Sequence, residues 1–297
     1  MRILFVTSSR IGDAVLSTGL LDHLLRTYPD ARFTVACGPV AAGLFRHMPR
    51  LERLIVVEKR PFGAHWLRLW AMVAPHWWDL VVDIRASALA WLLPTSRRAI
   101  MRKRPGHKTV QLAAMLGLSP PPLPVVWIGE ADRARARALL PAGDAPLLVL
   151  GPTANWRGKV WPAERFIALT EALLAGPLRG ARVAVLAGPG AVERAMAAPV
   201  LAALPQAADL AGGLSLSEAA ACLEPAALFV GNDSGLMHLA AAAGAPTLGL
   251  FGPTPAAEYA PSGRCAAAVL ASRPDMGALS VEAALAAAVG VLERAAA

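Results

Sequence analysis

Cysteine is scarce in this sequence. Cys37, Cys222 and Cys265 lie far apart in a chain of 297 residues, with no CxxC pair and no His/Cys cluster. That spacing excludes a disulfide framework and a thiolate zinc site, and points to reduced thiols in a cytoplasmic protein. Long unbroken apolar runs are missing as well. The longest candidate, LMHLAAAAGAPTLGLFGP, is interrupted by His238, Gly244 and Pro246, so it reads as a buried helix followed by a buried strand. The opening MRILFVTSSR has an apolar run too short for a signal peptide, and no small-residue cleavage site follows it. There is no DxD motif for a divalent ion. The nearest acids, Asp79 and Asp83, stand four residues apart on one predicted strand. No internal repeat of fixed period is present.

Acidic residues are scarce in one half only. Residues 1–145 hold 20 Lys and Arg against 10 Asp and Glu, whereas residues 146–297 hold 9 against 11, within an overall net charge of +8. A basic half beside a near-neutral one implies that the first half meets something anionic: nucleic acid, a phosphorylated small molecule or an anionic membrane surface.

What is present is an alternation of strand and helix patterns from end to end, which predicts an α/β fold with parallel sheets covered by helices on both faces. RILFVT, RFTVAC, RLIVVE and DLVVDI read as strands of the first half, with a helix over roughly 14–27. SPPPLPVVWI cannot be regular structure and reads as a connector, followed by a helix at ADRARARALL. PLLVLGPT then opens a second unit, which runs through helices at PAERFIALTEALLAG, 191–204, SLSEAAACLE and 235–243 and strands RVAVLAG, ALFVG and TLGLFG to a final alanine-rich helix. The expected boundary lies near 140–147, giving domains 1–145 and 146–297. Two Rossmann-like lobes facing a cleft, with a ligand at the carboxyl ends of the strands, is the architecture this pattern implies.

Four places carry candidate chemistry. In GNDSGLMH a buried strand runs into a helix that Asp233 or Ser234 can cap, and the amides of Ser234 and Gly235 lie at its positive end, with His238 in the first turns. An anion site and a plain N-cap with one core histidine both fit. In LGPTANWRGKVWPAERF, Thr153 and Lys159 sit in a polar loop between a strand and a helix, as point-charge partners for a diphosphate or as solvated loop residues. VAVLAGPGAVERA resembles a dinucleotide fingerprint but has Glu193 where the third glycine belongs. That carboxylate suits either ribose hydroxyls or the first turn of a helix. Near the amino end, SRIGDAVL places Gly12 and then Asp13 at a strand-to-helix turn, where the helix dipole favours a carboxylate. A helix cap and a cleft-facing base are both open, although Leu16 stands where a capping box needs Glu or Gln.

In order along the chain, RIGDAVLSTGLLDHLLRTYP, WWDLVVDIRASALAWLL, GKVWPAERF and DLAGGLSLSEAAACLEPAALFVGNDSGLMHLAAAAGAPTLGLFGPTPAAEYAP resemble the signatures of the heptosyltransferase-type glycosyltransferases, family 9. The resemblance implies the GT-B arrangement of two Rossmann-like lobes about a central cleft and an inverting, metal-independent transfer. The donor would be a nucleotide-diphospho-sugar, ADP-heptose in the heptosyltransferases, and the acceptor the inner core of lipopolysaccharide. It implies no separate cofactor. Carried over position by position, Asp13 is the general base, Lys159 and Thr153 meet the donor phosphates and Glu193 the ribose. Asp233, Ser234, Gly235 and His238 form the donor loop and its helix. The basic run SRRAIMRKRPGHK, with Arg97, Arg98, Arg102, Lys103 and Arg104, is then expected to hold an anionic glycolipid acceptor at the cytoplasmic face of the inner membrane. The tryptophans Trp66, Trp70, Trp77 and Trp78, with Phe62, fit either contact with lipid or a place in the core, and their helical spacing favours the core. Three alternatives stay open: another nucleotide sugar, an NAD-dependent oxidoreductase, or a nucleotide-binding module without catalysis. Nucleic acid is not an expected partner, because no reading motif accompanies the basic run.

Overall fold

Apolar runs of five or six residues become the inner strands of two separate parallel sheets. The computed structural model describes residues 1–297, which divide into one unit over Met1–Trp127 and another over Ile128–Ala297.

The first unit comprises β1 (Arg2–Val6), α1 (Ile11–Thr27), β2 (Arg32–Cys37), β3 (Leu51–Val56), α2 (Ala64–Val73), β4 (Trp78–Asp83), β5 (Thr95–Ile100) and α3 (Lys108–Ala113). The strand order is β3-β2-β1-β4-β5, with every pair parallel. Ile3, Leu4 and Phe5 are fully buried, as expected where helices cover both faces of a parallel sheet. On one face α2 buries Leu69 and Val73 in a cluster with Leu4, Val81 and the turn residues Leu89, Ala90 and Leu93.

The second unit contains α4 (Glu130–Leu139), β6 (Leu147–Gly151), α5 (Ala163–Ala175), β7 (Arg182–Ala187), α6 (Ala191–Ala203), β8 (Ala208–Ala211), α7 (Leu216–Leu223), β9 (Leu228–Asn232), α8 (Gly235–Ala242), β10 (Thr247–Phe251), α9 (Ala256–Tyr259), β11 (Ala266–Leu270) and α10 (Val281–Ala296). Its six strands are ordered β11-β10-β9-β6-β7-β8, again all parallel. Gly151 and Gly231 face each other across β6 and β9. A Cβ on either would meet the Phe229 ring at 2.6 Å, so close packing at this point requires glycine on both strands.

Trp161 anchors the second core. It is fully buried, its ring stands edge-on to Phe166 with centroids 5.1 Å apart, and its Nε1 donates to the Leu279 carbonyl at 3.0 Å. Trp161→Ala is expected to cost about 3–5 kcal/mol, by loss of packing and of a buried hydrogen bond. The check is a lower denaturant midpoint with an unchanged m value.

Three strands were not foreseen, each for a composition reason. β5 is TSRRAI, whose two arginines read as a solvated run; it is an edge strand, where charge on the exposed side is tolerated. β8 (ADLA) and β11 (AAAVL) are alanine-rich with few β-branched residues, and they too are edges. The boundary falls at Trp127/Ile128 rather than near 145. The physical reason is α4, which is tied to α7 by a two-pronged Arg133–Glu224 ion pair (2.8 and 2.9 Å) and by Ser217 Oγ donating to Asp132 Oδ1 at 3.3 Å. The tryptophan expectation holds for Trp78, which is buried and donates from Nε1 to the Val73 carbonyl, and in part for Trp66, which packs against the same cluster. Trp66 is half-buried, while Trp70, Trp77 and Phe62 are exposed. The helical spacing that suggested a core stripe is met on the inner side of α2 by Leu69 and Val73 instead.

Candidate functional site

In the second unit the chain leaves β6 for β7 on one side, while β9 lies on β6's other side. Such a reversal of strand order opens a crevice at the carboxyl ends of the diverging strands, where α/β sheets bind ligands. Thr153 follows β6 there and Asp233 follows β9, so the order of strands alone brings these two stretches of sequence together.

Lys159 lies in the single 3-10 turn Arg157–Lys159. Its Nζ donates to Asp233 Oδ2 at 2.7 Å, with side-chain exposures of 20% and 8%. A solvated loop lysine is therefore not what the structure shows. The pair sits immediately before α8, whose N-cap position is taken by Ser234 with extended backbone and no side-chain cap. The first amides of α8 are thus not capped by a side chain, and Gly235 begins the helix. His238 is buried one turn further on.

Buried polar atoms without partners concentrate at the same sheet end. Asn232 accepts from the Trp161 amide at 3.0 Å through Oδ1, yet its Nδ2 has no partner. Ser234 Oγ and Thr254 Oγ1 are likewise buried and unpartnered. Each such group costs about 1–3 kcal/mol unless something satisfies it. Asn232 ends β9, and Ser234 and Thr254 follow β9 and β10; all three can donate to a phosphate- or hydroxyl-rich ligand. Asn232 and Thr254 were not singled out from the sequence. A signal was there: Gly-Pro-Thr follows both β6 (Gly151–Thr153) and β10 (Gly252–Thr254).

Glu193, in the first turn of α6, accepts through Oε2 from Thr153 Oγ1 at 2.8 Å and from the Gly188 amide at 2.7 Å. A Cβ at Gly188 would lie 2.6 Å from that carboxylate, so glycine is needed for the contact. In a dinucleotide fold this loop turns its amides to a pyrophosphate; here the amide of Gly188 is already held by a protein carboxylate. Thr153 and Glu193 thus come together as one unit through Glu193 Oε2.

In the first unit the reversal of strand order falls between β1 and β4. Asp13 occupies the third position of α1, not the cap, which is Arg10. Its one hydrogen bond is from Ser8 Oγ at 3.5 Å, and Ser8 Oγ itself accepts from the Arg10 amide at 3.1 Å. The protein thus holds this carboxylate only lightly. Asp83, at the adjacent end of β4, is the opposite case. It is fully buried and accepts from the Arg85 amide at 2.8 Å and from the Ser87 amide and hydroxyl at 2.9 and 2.6 Å. Burial raises its pKa above the ordinary carboxylate value, and those hydrogen bonds oppose the rise. Asp83 shapes the turn over 84–87, in which Ala86 has φ +50°.

The basic run is divided in its duties. Arg98 donates to the carbonyls of Ala90 and Leu93 at 2.7 and 2.8 Å, and Arg97 donates to Tyr28 Oη at 3.1 Å while lying over its ring. Arg102, Lys103 and Arg104 are exposed. Arg98, Arg102 and Arg104 line a depression of about 250 Å³ together with Trp91, Gln111 and Met115.

The model of glycosyltransferase family 9 (heptosyltransferase) matches residues 95–286, well over half of the chain. The chain belongs to glycosyltransferase family 9. It is 29% identical over 286 residues to lipopolysaccharide heptosyltransferase 1 of Pseudomonas aeruginosa, covering 86% of this chain and 79% of that one. Among solved structures, a family 9 glycosyl transferase of Veillonella parvula superposes with a TM-score of 0.80 at 21% identity, covering 98% of this chain and 97% of that one. The ADP-heptose lipopolysaccharide heptosyltransferase II of Escherichia coli superposes with a TM-score of 0.79 at 20% identity over the whole of both chains. The fold is thus the GT-B class of two Rossmann-like units, and this family 9 member is a glycosyltransferase. None of its helices is long and apolar enough to cross a membrane.

Proposed function

We propose that this glycosyltransferase moves a heptose from ADP-heptose to a lipopolysaccharide-core acceptor, with inversion at the sugar carbon and without a divalent metal. The observation that carries the donor half is the Lys159–Asp233 pair at the uncapped start of α8, beside three buried polar groups that lack partners. A diphosphate arriving there meets one ammonium, the first helix amides and the free hydroxyls of Ser234 and Thr254. The names of the relatives supply the sugar: heptosyltransferases of lipopolysaccharide, one of them named for ADP-heptose.

In the proposed step the acceptor hydroxyl oxygen bonds to the anomeric carbon as the bond from that carbon to the diphosphate breaks. The hydroxyl proton passes to Asp13, and the electron pair of the broken bond leaves on ADP. The growing charge on the leaving group is met by Lys159 and the α8 amides, the role a metal ion fills elsewhere. Asp233 already balances the lysine, so this cluster supplies a cation to the diphosphate rather than carboxylates to a metal. Glu193 and Thr153 receive the ribose and its phosphate. The basic residues Arg97, Arg98, Arg102, Lys103 and Arg104 attract the anionic glycolipid, and the enzyme works in the cytoplasm against the inner membrane surface.

A thermal-shift panel with ADP, UDP, GDP and NAD at equal concentration tests the donor assignment. A nucleotide at 100 times its dissociation constant stabilises by about 2.7 kcal/mol, which moves the midpoint by several degrees. The expected result is a shift with ADP alone. A shift confined to UDP or GDP overturns the heptose donor while keeping the chemistry, and NAD surpassing ADP overturns the ADP-linked donor.

A further inference from the structure

One tryptophan of the second unit is exposed, and it stands in the donor loop. Trp156 is 55% exposed, whereas Trp161, Phe166, Phe229 and Phe251 are fully buried. It lies between Thr153 and Lys159 in the connection from β6 to α5. Its carbonyl accepts from the Lys159 amide at 3.1 Å, closing the turn that carries the ammonium, and the Arg157 carbonyl accepts from the Val160 amide at 3.0 Å. The far end of the loop is pinned by the buried Trp161, whose amide donates to Asn232 Oδ1 at 3.0 Å. Neither the donor contacts nor the proton transfer described above uses the Trp156 ring.

The ring itself is held in place. A Cβ on Gly158 would lie 2.6 Å from Cζ2 of Trp156, 2.8 Å from Cη2 and 2.9 Å from Cε2. Three distances so nearly equal put that point over the face of the six-membered ring, not off its edge. The indole therefore rests flat on the backbone of Gly158. The φ of Gly158 is not positive, so glycine is needed here to seat the ring and not to make the turn. A flat aromatic face fixed beside polar groups takes the apolar face of a second ring, either a sugar, whose C–H hydrogens oppose the negative indole face, or a purine. The neighbouring residues choose between them. Thr153 and Glu193, at β6 and α6, stand on the ribose side of the proposed donor site, and Lys159 and Asp233, across to β9, stand on the diphosphate side. The nucleoside thus extends toward β7 and the transferred sugar away from it. Trp156 closes the Lys159 turn, which places its ring with the diphosphate and the sugar beyond it.

We infer that Trp156 is the platform on which the transferred sugar of the donor stacks, so that the site distinguishes the nucleotide sugar from the free nucleotide. The inference rests on the donor site proposed above and adds to it a contact with the sugar ring. ADP, the product, lacks that contact, which favours its exchange for fresh donor.

The test is calorimetric titration of the full chain with ADP-heptose and with ADP, for the unaltered protein, Trp156→Ala and Trp156→Phe. Trp156→Ala should weaken ADP-heptose binding about three- to tenfold and leave ADP binding unchanged. Trp156→Phe should keep most of the ADP-heptose affinity, because a smaller aromatic face still stacks. Truncating an exposed side chain should leave the thermal midpoint near that of the unaltered chain. Equal binding of ADP-heptose by Trp156→Ala and the unaltered chain overturns the inference. An equal loss for both ligands assigns the ring to the nucleoside and overturns it too, as does a higher KM for the acceptor with no change in ADP-heptose affinity. If the unaltered chain binds neither ligand, the donor reading itself fails and the platform falls with it. That outcome is seen without any variant, so the two failures are told apart.

Discussion

Lys159→Met is expected to remove most of the ADP-induced stabilisation, weakening ADP binding by about ten- to a hundredfold. Two effects are joined in this residue and can be separated. In the unliganded protein Lys159 neutralises Asp233, whose side chain is only 8% exposed. Removing the ammonium strands that carboxylate beside the start of α8, where only helix amides remain to compensate. Because the lysine keeps 20% of its exposure, the stability cost is nearer 1–3 kcal/mol than the larger loss from breaking a fully buried pair. The second effect appears only with ligand, since the charge-assisted contact to the diphosphate is absent. Midpoints measured with and without ADP distinguish them. A purely structural Lys159 gives a lower midpoint with an undiminished ADP shift, which would remove it from the donor site. Asp233→Asn supplies the complementary test: it releases the ammonium and removes a carboxylate from the neighbourhood of an incoming diphosphate. If Asp233 serves only to hold the lysine, the variant binds ADP more tightly; if Asp233 also holds the sugar, ADP-heptose binding falls while ADP binding does not.

Legibility from sequence followed burial. β1, β2, β4, β6, β7, β9 and β10 were readable because strands covered on both faces must be apolar throughout. Edge strands are free of that requirement: β3 was readable because its Leu-Ile-Val run is apolar all the same, whereas β5, β8 and β11, built of arginine or alanine, were not. The connector around Pro120–Pro124 was clear from proline alone, yet the unit boundary depends on α4 joining α7, a contact that no local pattern encodes. Trp70 and Trp77 show the same limit in reverse, being exposed where their spacing favoured the core. Their spacing suits a core stripe, and only the packed structure reveals that Leu69, Val73 and Leu89 already fill that face. In the site, the sequence offered Lys159 and Asp233 as separate candidates and left each with a plain structural reading. Their ion pair is a product of the strand order, which sets the ends of β6 and β9 side by side. The unpartnered atoms of Asn232, Ser234 and Thr254 were beyond sequence reasoning, because satisfaction of a hydrogen bond is a property of the folded surroundings.

Asp13→Asn is expected to lower kcat by about a hundred- to ten-thousandfold while leaving both stability and ADP binding near those of the unaltered protein. The geometry sets these three expectations apart. Asp13 lies third in α1, so the helix does not rely on it as a cap, and its single contact is the 3.5 Å approach of Ser8 Oγ. An amide of the same shape preserves that contact and sacrifices at most the few tenths of a kcal/mol that a carboxylate gains near a helix amino end. What the amide cannot do is accept the proton of an acceptor hydroxyl as its oxygen attacks. A small loss in kcat would leave the hydroxyl proton with water or another base and would withdraw Asp13 from the chemistry. Asp83→Asn is the control at the same end of the sheet. That carboxylate is spent on the Arg85 amide and on the Ser87 amide and hydroxyl, so an amide there turns a donor toward donors. The expected loss is about 1–3 kcal/mol of stability. A thermal midpoint that falls for Asp83→Asn and holds for Asp13→Asn, together with a rate that collapses for Asp13→Asn, separates the aspartate that shapes the turn from the one that takes the proton.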